Sequence, residues 1–155
     1  IMIKVNVILD NINWIKYIRN PKTFIKNKIK LLNKKNALFN KKRLIFSLSL
    51  SGTTKIKKLN KLYRKKNLST DVLSFPFYGK NTLTKRIKEE KEIYIGDVII
   101  NLNKIKNKKN KKVFISEFDK LWVHGLVHLF GYKHKRNKDF YKMNKIEKRY
   151  LKLVS

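Results

Sequence analysis

Cysteine is absent from this 155-residue chain. That excludes disulfides, thiolate metal sites and a cysteine nucleophile, so any bound metal must rest on nitrogen and oxygen ligands. Long apolar runs are missing too. Nothing approaches the roughly 20 residues needed to cross a bilayer, and the stretch from Ile1 to Leu9 reads as a strand rather than a charged-then-apolar leader. The expected location is the cytoplasm, with no membrane partner. Acidic residues are scarce, 10 Asp and Glu against 40 Lys and Arg, for a formal net charge of +30. Such an excess points to a polyanionic partner, RNA or DNA, bound through counterion release and weakened by salt. Part of it follows a general enrichment in Lys, Asn and Ile, the residues of AT-rich codons, so charge alone marks no site. The length suits one domain, residues 1–155, with one core.

Ile3, Val5, Val7 and Leu9 alternate with other residues as a half-buried strand does. After Asn20-Pro21, a turn into a helix, Phe24, Ile25, Ile29 and Leu32 recur at helical spacing. A second strand carries Leu44, Phe46, Leu48 and Leu50 between a basic turn and Gly52. Ser51 or Thr53 then offers a hydroxyl cap for a helix with Ile56, Leu59, Leu62 and Tyr63 as its apolar face. Thr70-Asp71 opens an extended run through Phe77, with Pro76 at a strand edge or end. Lys80 to Lys91 is polar and reads as loop. Ile93 to Ile100 is a strand in which Gly96 implies a bulge or a close backbone approach. Leu102 to Lys112 is an exposed connection. A helix then runs from Val113 to Phe130, stopped by Gly131, and a last one from about Asn137 to Leu153 turns Phe140, Met143, Ile146, Tyr150 and Leu153 inward. The fold class is α+β: a single mixed sheet of about four strands covered by helices.

All three histidines of the chain lie between His124 and His134. Residues four apart stack on one helix face, so His124 and His128 aim at a common point. Gly131 ends the helix in a left-handed conformation, and the reversed chain returns His134 beside them. Three imidazoles with a fourth position open are the donor set of a catalytic zinc. The spacing is shared with metzincin proteases, except that Gly125 stands where a protease has its general-base Glu. The carboxylates available for proton transfer or for orienting a histidine are Asp97, Glu117, Asp119, Asp71 and Glu147. Glu117 lies two turns back on the face of His124, and Asp97 beside Gly96 is placed to orient a histidine or support the helix; both are candidate outer-shell partners of the metal. Phe75, Phe77 and Tyr132 are aromatic candidates for base stacking.

His124-Gly125, His128, Gly131-Tyr132 and His134 resemble the three-histidine motif H-G-x-x-H-x-x-G-Y-x-H of the YbeY family of bacterial endoribonucleases. Asn60 to Arg64 running into Thr70 to Pro76, the Gly96 to Ile100 block, Met143 and Glu147 resemble it also. The resemblance implies a zinc-dependent, single-strand-specific endoribonuclease acting in 16S rRNA 3′-end maturation and ribosome quality control. One Zn²⁺ per chain would be held by His124, His128 and His134. Arg64 would be the catalytic cleft arginine, binding substrate phosphate together with Ser74. The partners implied are rRNA and the small ribosomal subunit, with ribosomal proteins and an assembly GTPase. Where the family usually has Asp, this chain has Lys133, and Lys135, Arg136 and Lys138 replace acidic residues, making a basic rim. Lys120 stands where a further histidine is common. Two other readings fit the residues: a zinc peptidase, which Gly125 and the charge oppose, and a non-catalytic basic ribosome-assembly factor whose metal only stabilises the C-terminal helices.

Overall fold

The computed structural model describes residues 1–34 and 42–155; the basic turn expected ahead of the second strand falls partly outside them. In order the elements are β1 (Met2–Leu9), α1 (Pro21–Asn33), β2 (Arg43–Ser51), α2 (Thr53–Arg64), β3 (Val72–Pro76), α3 (Lys80–Glu89), β4 (Glu92–Asn101), α4 (Lys111–Leu129) and α5 (Asn137–Val154). The strands form one sheet in the order β1-β2-β4-β3. β1, β2 and β4 run parallel and β3 is an antiparallel edge strand ending at Pro76, where a missing N–H costs no ladder bond. The α+β class expected from the sequence is the one observed.

One sheet face carries the core. Val5, Phe46, Leu48, Val98 and Ile100 meet Ile25 and Ile29 of α1, Phe118, Trp122 and Leu126 of α4, and Met143 of α5. The other face is covered by α2 along β3 and β4, where Ile56 packs on Leu73 and Ile99 and Leu59 and Phe75 join them. β4 bulges against β2, the register slipping so that Phe46 pairs with Gly96 rather than Ile95. Gly96 has φ +141°, and a Cβ there would lie 2.2 Å from the Phe75 carbonyl oxygen. Both alternatives expected at this glycine therefore hold.

Several expectations are corrected. Residues 80–89, expected as loop, are helix α3. Its only core anchors, Leu83 and Ile87, lie four apart among polar residues, and an Arg86–Glu90 ion pair at 2.8 Å closes the last turn. Neither Ser51 nor Thr53 caps α2. The N-cap is Gly52, Ser51 finishes β2 and donates to Asp10, and the Thr53 hydroxyl bonds Asn101. Leu62 and Tyr63 are 63% and 66% exposed rather than inward, since the end of α2 lies against the edge strand β3, where Tyr63 meets only the Phe75 ring edge to face. Phe140 is 53% exposed. Packing of α5 begins at Met143, so the turn before it has no apolar partner.

Candidate metal centre and cleft

Helix α4 carries the first two histidines, and its position is set by a glycine between them. A Cβ at Gly125 would stand 2.5 Å from Val98 Cγ1 and 3.1 Å from Ser74 Oγ. The bare backbone lets α4 settle directly on β3 and β4, where the Ser74 hydroxyl donates to the Gly125 carbonyl at 3.2 Å. Position 125 thus faces the sheet while 124 and 128 face the cleft. The sequence shows the missing Glu; the structure shows that no carboxylate fits there, which weighs against the peptidase reading. After α4, Gly131 turns the chain at φ +90°, with Lys80 at the start of α3 close enough that a Cβ would meet it at 2.8 Å. His134 returns beside the helical pair.

The ligand atoms of His124, His128 and His134 lie within 4.8 Å of one another. His124 Nδ1 is 2.7 Å from Glu147 Oε1 on α5, and His128 Nδ1 is 2.9 Å from the Tyr132 carbonyl oxygen. Those oxygens accept, so each ring carries its proton on Nδ1 and offers the Nε2 lone pair to the cleft. The two Nε2 atoms are 3.1 Å apart. Ligand atoms of a tetrahedral zinc with bonds of about 2.05 Å stand about 3.3 Å apart. Burial holds the His128 imidazole below the usual histidine range, and the neighbouring imidazoles push the same way against the Tyr132 carbonyl and Glu147. Two Nε2 atoms at this distance, with a third imidazole beside them, suit a cation or a proton held between them, and burial of His128 opposes placing the proton on its ring. The donor set fits a zinc-like divalent ion.

The histidines line an open cleft of about 720 Å³ whose walls include Arg64, Asp71, Ser74, Phe77, Tyr132, Lys133 and Lys135. Arg64 Nη2 donates to the Ser74 carbonyl at 2.9 Å and its guanidinium rests over the Phe75 ring, 5.7 Å from the centroid. That fixes the fork while leaving other donors toward the cleft. Ser74 lines the cleft at 8% exposure, its hydroxyl donating to the Gly125 carbonyl and its own carbonyl accepting from Arg64. Phe75 is half-buried beside Tyr63, whereas Phe77 is 55% exposed and packs on Tyr94.

The carboxylates sort cleanly. Asp97 bonds the Tyr94 hydroxyl, and burial, with Asp97 helping, raises that phenol above its ordinary range. Asp97 therefore engages a tyrosine rather than a histidine. Glu117 pairs with Lys120 at 3.1 Å, a half-exposed surface pair that also accounts for that lysine. Asp119 is buried, receiving Lys28 at 2.8 Å and Trp122 Nε1 at 2.8 Å; burial raises its carboxyl despite both donors. Glu147 is the one that reaches a histidine. The sequence signal for it was its helical phase with Met143, which is buried against α4.

An α+β sheet followed by a helix that presents two of three convergent imidazoles to an open cleft defines a class of fold with a candidate metal centre. The family model described as Endoribonuclease YbeY matches residues 10–155. A Pelagibacter ubique protein of that name is 37% identical over 148 residues, covering 94% of this chain and 92% of that one. An Ehrlichia canis protein of the same name is 33% identical over 148 residues, covering 94% and 88%. The solution structure of a Thermotoga maritima protein aligns with TM-score 0.59 at 23% identity, over 99% of this chain and 89% of that one, and so shares the fold. This chain belongs to the YbeY endoribonuclease family. Among the described residues no helix is long and apolar enough to cross a membrane.

Proposed function

We propose that residues 1–155 form one zinc-dependent, single-strand-specific endoribonuclease domain acting in the cytoplasm on 16S rRNA 3′ ends and in ribosome quality control. Its partners are rRNA and the small subunit, together with ribosomal proteins and an assembly GTPase. The observation that carries the metal reading is the convergence of three imidazoles with ligand atoms within 4.8 Å, two of them with Nδ1 against an oxygen acceptor and Nε2 toward the third. His124, His128 and His134 would hold the ion, which when bound supplies Lewis acidity toward water and a phosphodiester oxygen. Glu147 and the Tyr132 carbonyl keep the two helical imidazoles in the ligating tautomer. Arg64, braced on Ser74 and Phe75, offers its remaining N–H groups to a phosphate beside the cluster. Asp71 is the carboxylate among the cleft-lining residues and is available to relay a proton at the leaving oxygen.

The test pairs metal content by mass spectrometry with cleavage of a structured RNA bearing a single-stranded 3′ tail, on wild-type and His128→Ala protein. About one zinc per chain, lost together with cleavage in the variant, supports the proposal. A metal-free wild type that still folds, or unchanged cutting by the variant, sinks it. Zinc bound without RNA cleavage would favour the assembly-factor reading, in which the ion only ties α4 to α5 through Glu147.

A further inference from the structure

Phe140 and Tyr141 occupy the first turn of α5, 53% and 73% exposed, and meet edge to face with ring centroids 6.4 Å apart. Neither fills the core. They follow a run in which Lys133, Lys135, Arg136 and Lys138 form no ion pair among the described residues. The run is continuous with the cleft, because Lys133, His134 and Lys135 line it together with Arg64. Exposed rings beside cations without ion-pair partners are what a single strand of nucleic acid uses, the rings stacking on bases and the cations contacting phosphates.

We propose that residues 133–141 form a second RNA-binding lip of the cleft. Lys135, Arg136 and Lys138 hold phosphates of the strand beyond the histidine cluster, and Tyr141 stacks on one of its bases. This rests on the nuclease reading above and adds to it a substrate track. A strand held only at Arg64 can pivot about that contact, whereas a grip on both sides of the cluster fixes the phosphate between them. Basic, aromatic helix ends also suit anionic lipid surfaces, but continuity with the cleft favours the strand.

The experiment measures anisotropy of a fluorescent single-stranded RNA of about 12 nucleotides, and of one of about four, against salt, read before turnover. Proteins are wild type, Tyr141→Ala, the triple variant Lys135→Ser/Arg136→Ser/Lys138→Ser, and a control, Lys106→Ser/Lys109→Ser/Lys112→Ser. The control residues are exposed near the start of α4, about 20 Å of helix from His124. The longer RNA is expected to bind Tyr141→Ala about tenfold more weakly. Its log–log salt slope should flatten by about 2 in the lip variant, from roughly 0.7 per cation lost. The control and the short RNA should change little, and circular dichroism and zinc content should match wild type. Equal slope losses in lip and control variants would overturn the lip, leaving only diffuse charge. So would lip variants that bind RNA as wild type does but no longer sediment with phosphatidylserine–phosphatidylcholine vesicles. If wild type neither binds nor cuts single-stranded RNA, the nuclease reading itself fails, an outcome distinct from a wild-type nuclease indifferent to the lip.

Discussion

Replacing Gly125 by Ala should damage this protein although alanine is the better helix former. The added Cβ would lie 2.5 and 3.0 Å from the two methyls of Val98 and 3.1 Å from Ser74 Oγ, where ordinary contact begins at 3.4 Å. Helix α4 must lift by roughly 1 Å. Overpacking of this kind costs about 2 kcal/mol, and loss of the Ser74–Gly125 hydrogen bond about 1 kcal/mol. The higher helix propensity of alanine returns about 1 kcal/mol. The net loss is about 2 kcal/mol, which lowers Tm by about 4–8 °C in a domain of this size. Arg64 stays on β3 through the Ser74 carbonyl while the histidines ride on α4, so the lift separates them, and a misplacement of about 1 Å costs about 100-fold in turnover. Zinc content should hold, because no ligand is touched. Val98→Ala added to Gly125→Ala should recover much of both losses. Thermal unfolding and initial cleavage rates measure all three proteins. Gly125→Ala more stable than wild type, or no recovery with Val98→Ala, would refute the close-approach argument.

Glu147→Ala removes the acceptor on His124 Nδ1, and zinc affinity in competition with a chelator should weaken about 10–100-fold; unchanged affinity would show that the carboxylate does not orient the ring. Asp119→Ala leaves the largely buried Lys28 ammonium with the Val154 carbonyl but no counter-charge, and the Trp122 indole N–H without its acceptor, and urea unfolding should show a loss of about 3 kcal/mol, with a loss under 1 kcal/mol arguing that water replaces the carboxylate. For the metal-free protein, the folded His128 imidazole titrates below its ordinary 6.5 because of burial, so its contribution to stability is complete above pH 6.5 and is lost as pH falls through the lower folded value. Tm should therefore drop on acidification below pH 6.5, and more shallowly in His128→Asn; a Tm that rises on acidification would contradict the assigned direction.

The histidine cluster was legible because it is local. His124 and His128 are joined by one helical turn and His134 by one glycine-led reversal, so eleven consecutive residues from 124 to 134 place the donors. The sheet was legible for the same reason, since alternation in β1 and β2 needs no knowledge of the partner strand. What failed depended on tertiary neighbours. Leu83 and Ile87 look like chance apolar residues until the α3 contact with the core exists. Leu62 and Phe140 continue the apolar phase of their helices where nothing apolar covers them, and Tyr63 reaches only the edge strand at Phe75. Periodicity reports which face of a helix is apolar but not how far along it there is anything to cover.

The scarcity of carboxylates sharpens what remains. In a chain with a fourfold excess of cations, an acidic side chain attracts some lysine almost anywhere, so proximity to a cation says little about role. The informative carboxylates are those whose partner is not a surface lysine. Asp97 engages the Tyr94 hydroxyl, Asp119 adds the Trp122 indole N–H to its lysine, and Glu147 engages an imidazole. Sequence distance ranked Glu117 above Glu147 as a supporter of the histidines, because it sits on the same helix two turns away. Geometry reverses that order. Two helical turns are about 10 Å of separation, beyond the reach of a glutamate, whereas the packing of α5 on α4 sets Glu147 Oε1 2.7 Å from His124 Nδ1. A supporting acid for a helix-borne imidazole is therefore better sought on the next element that packs across it than along its own face.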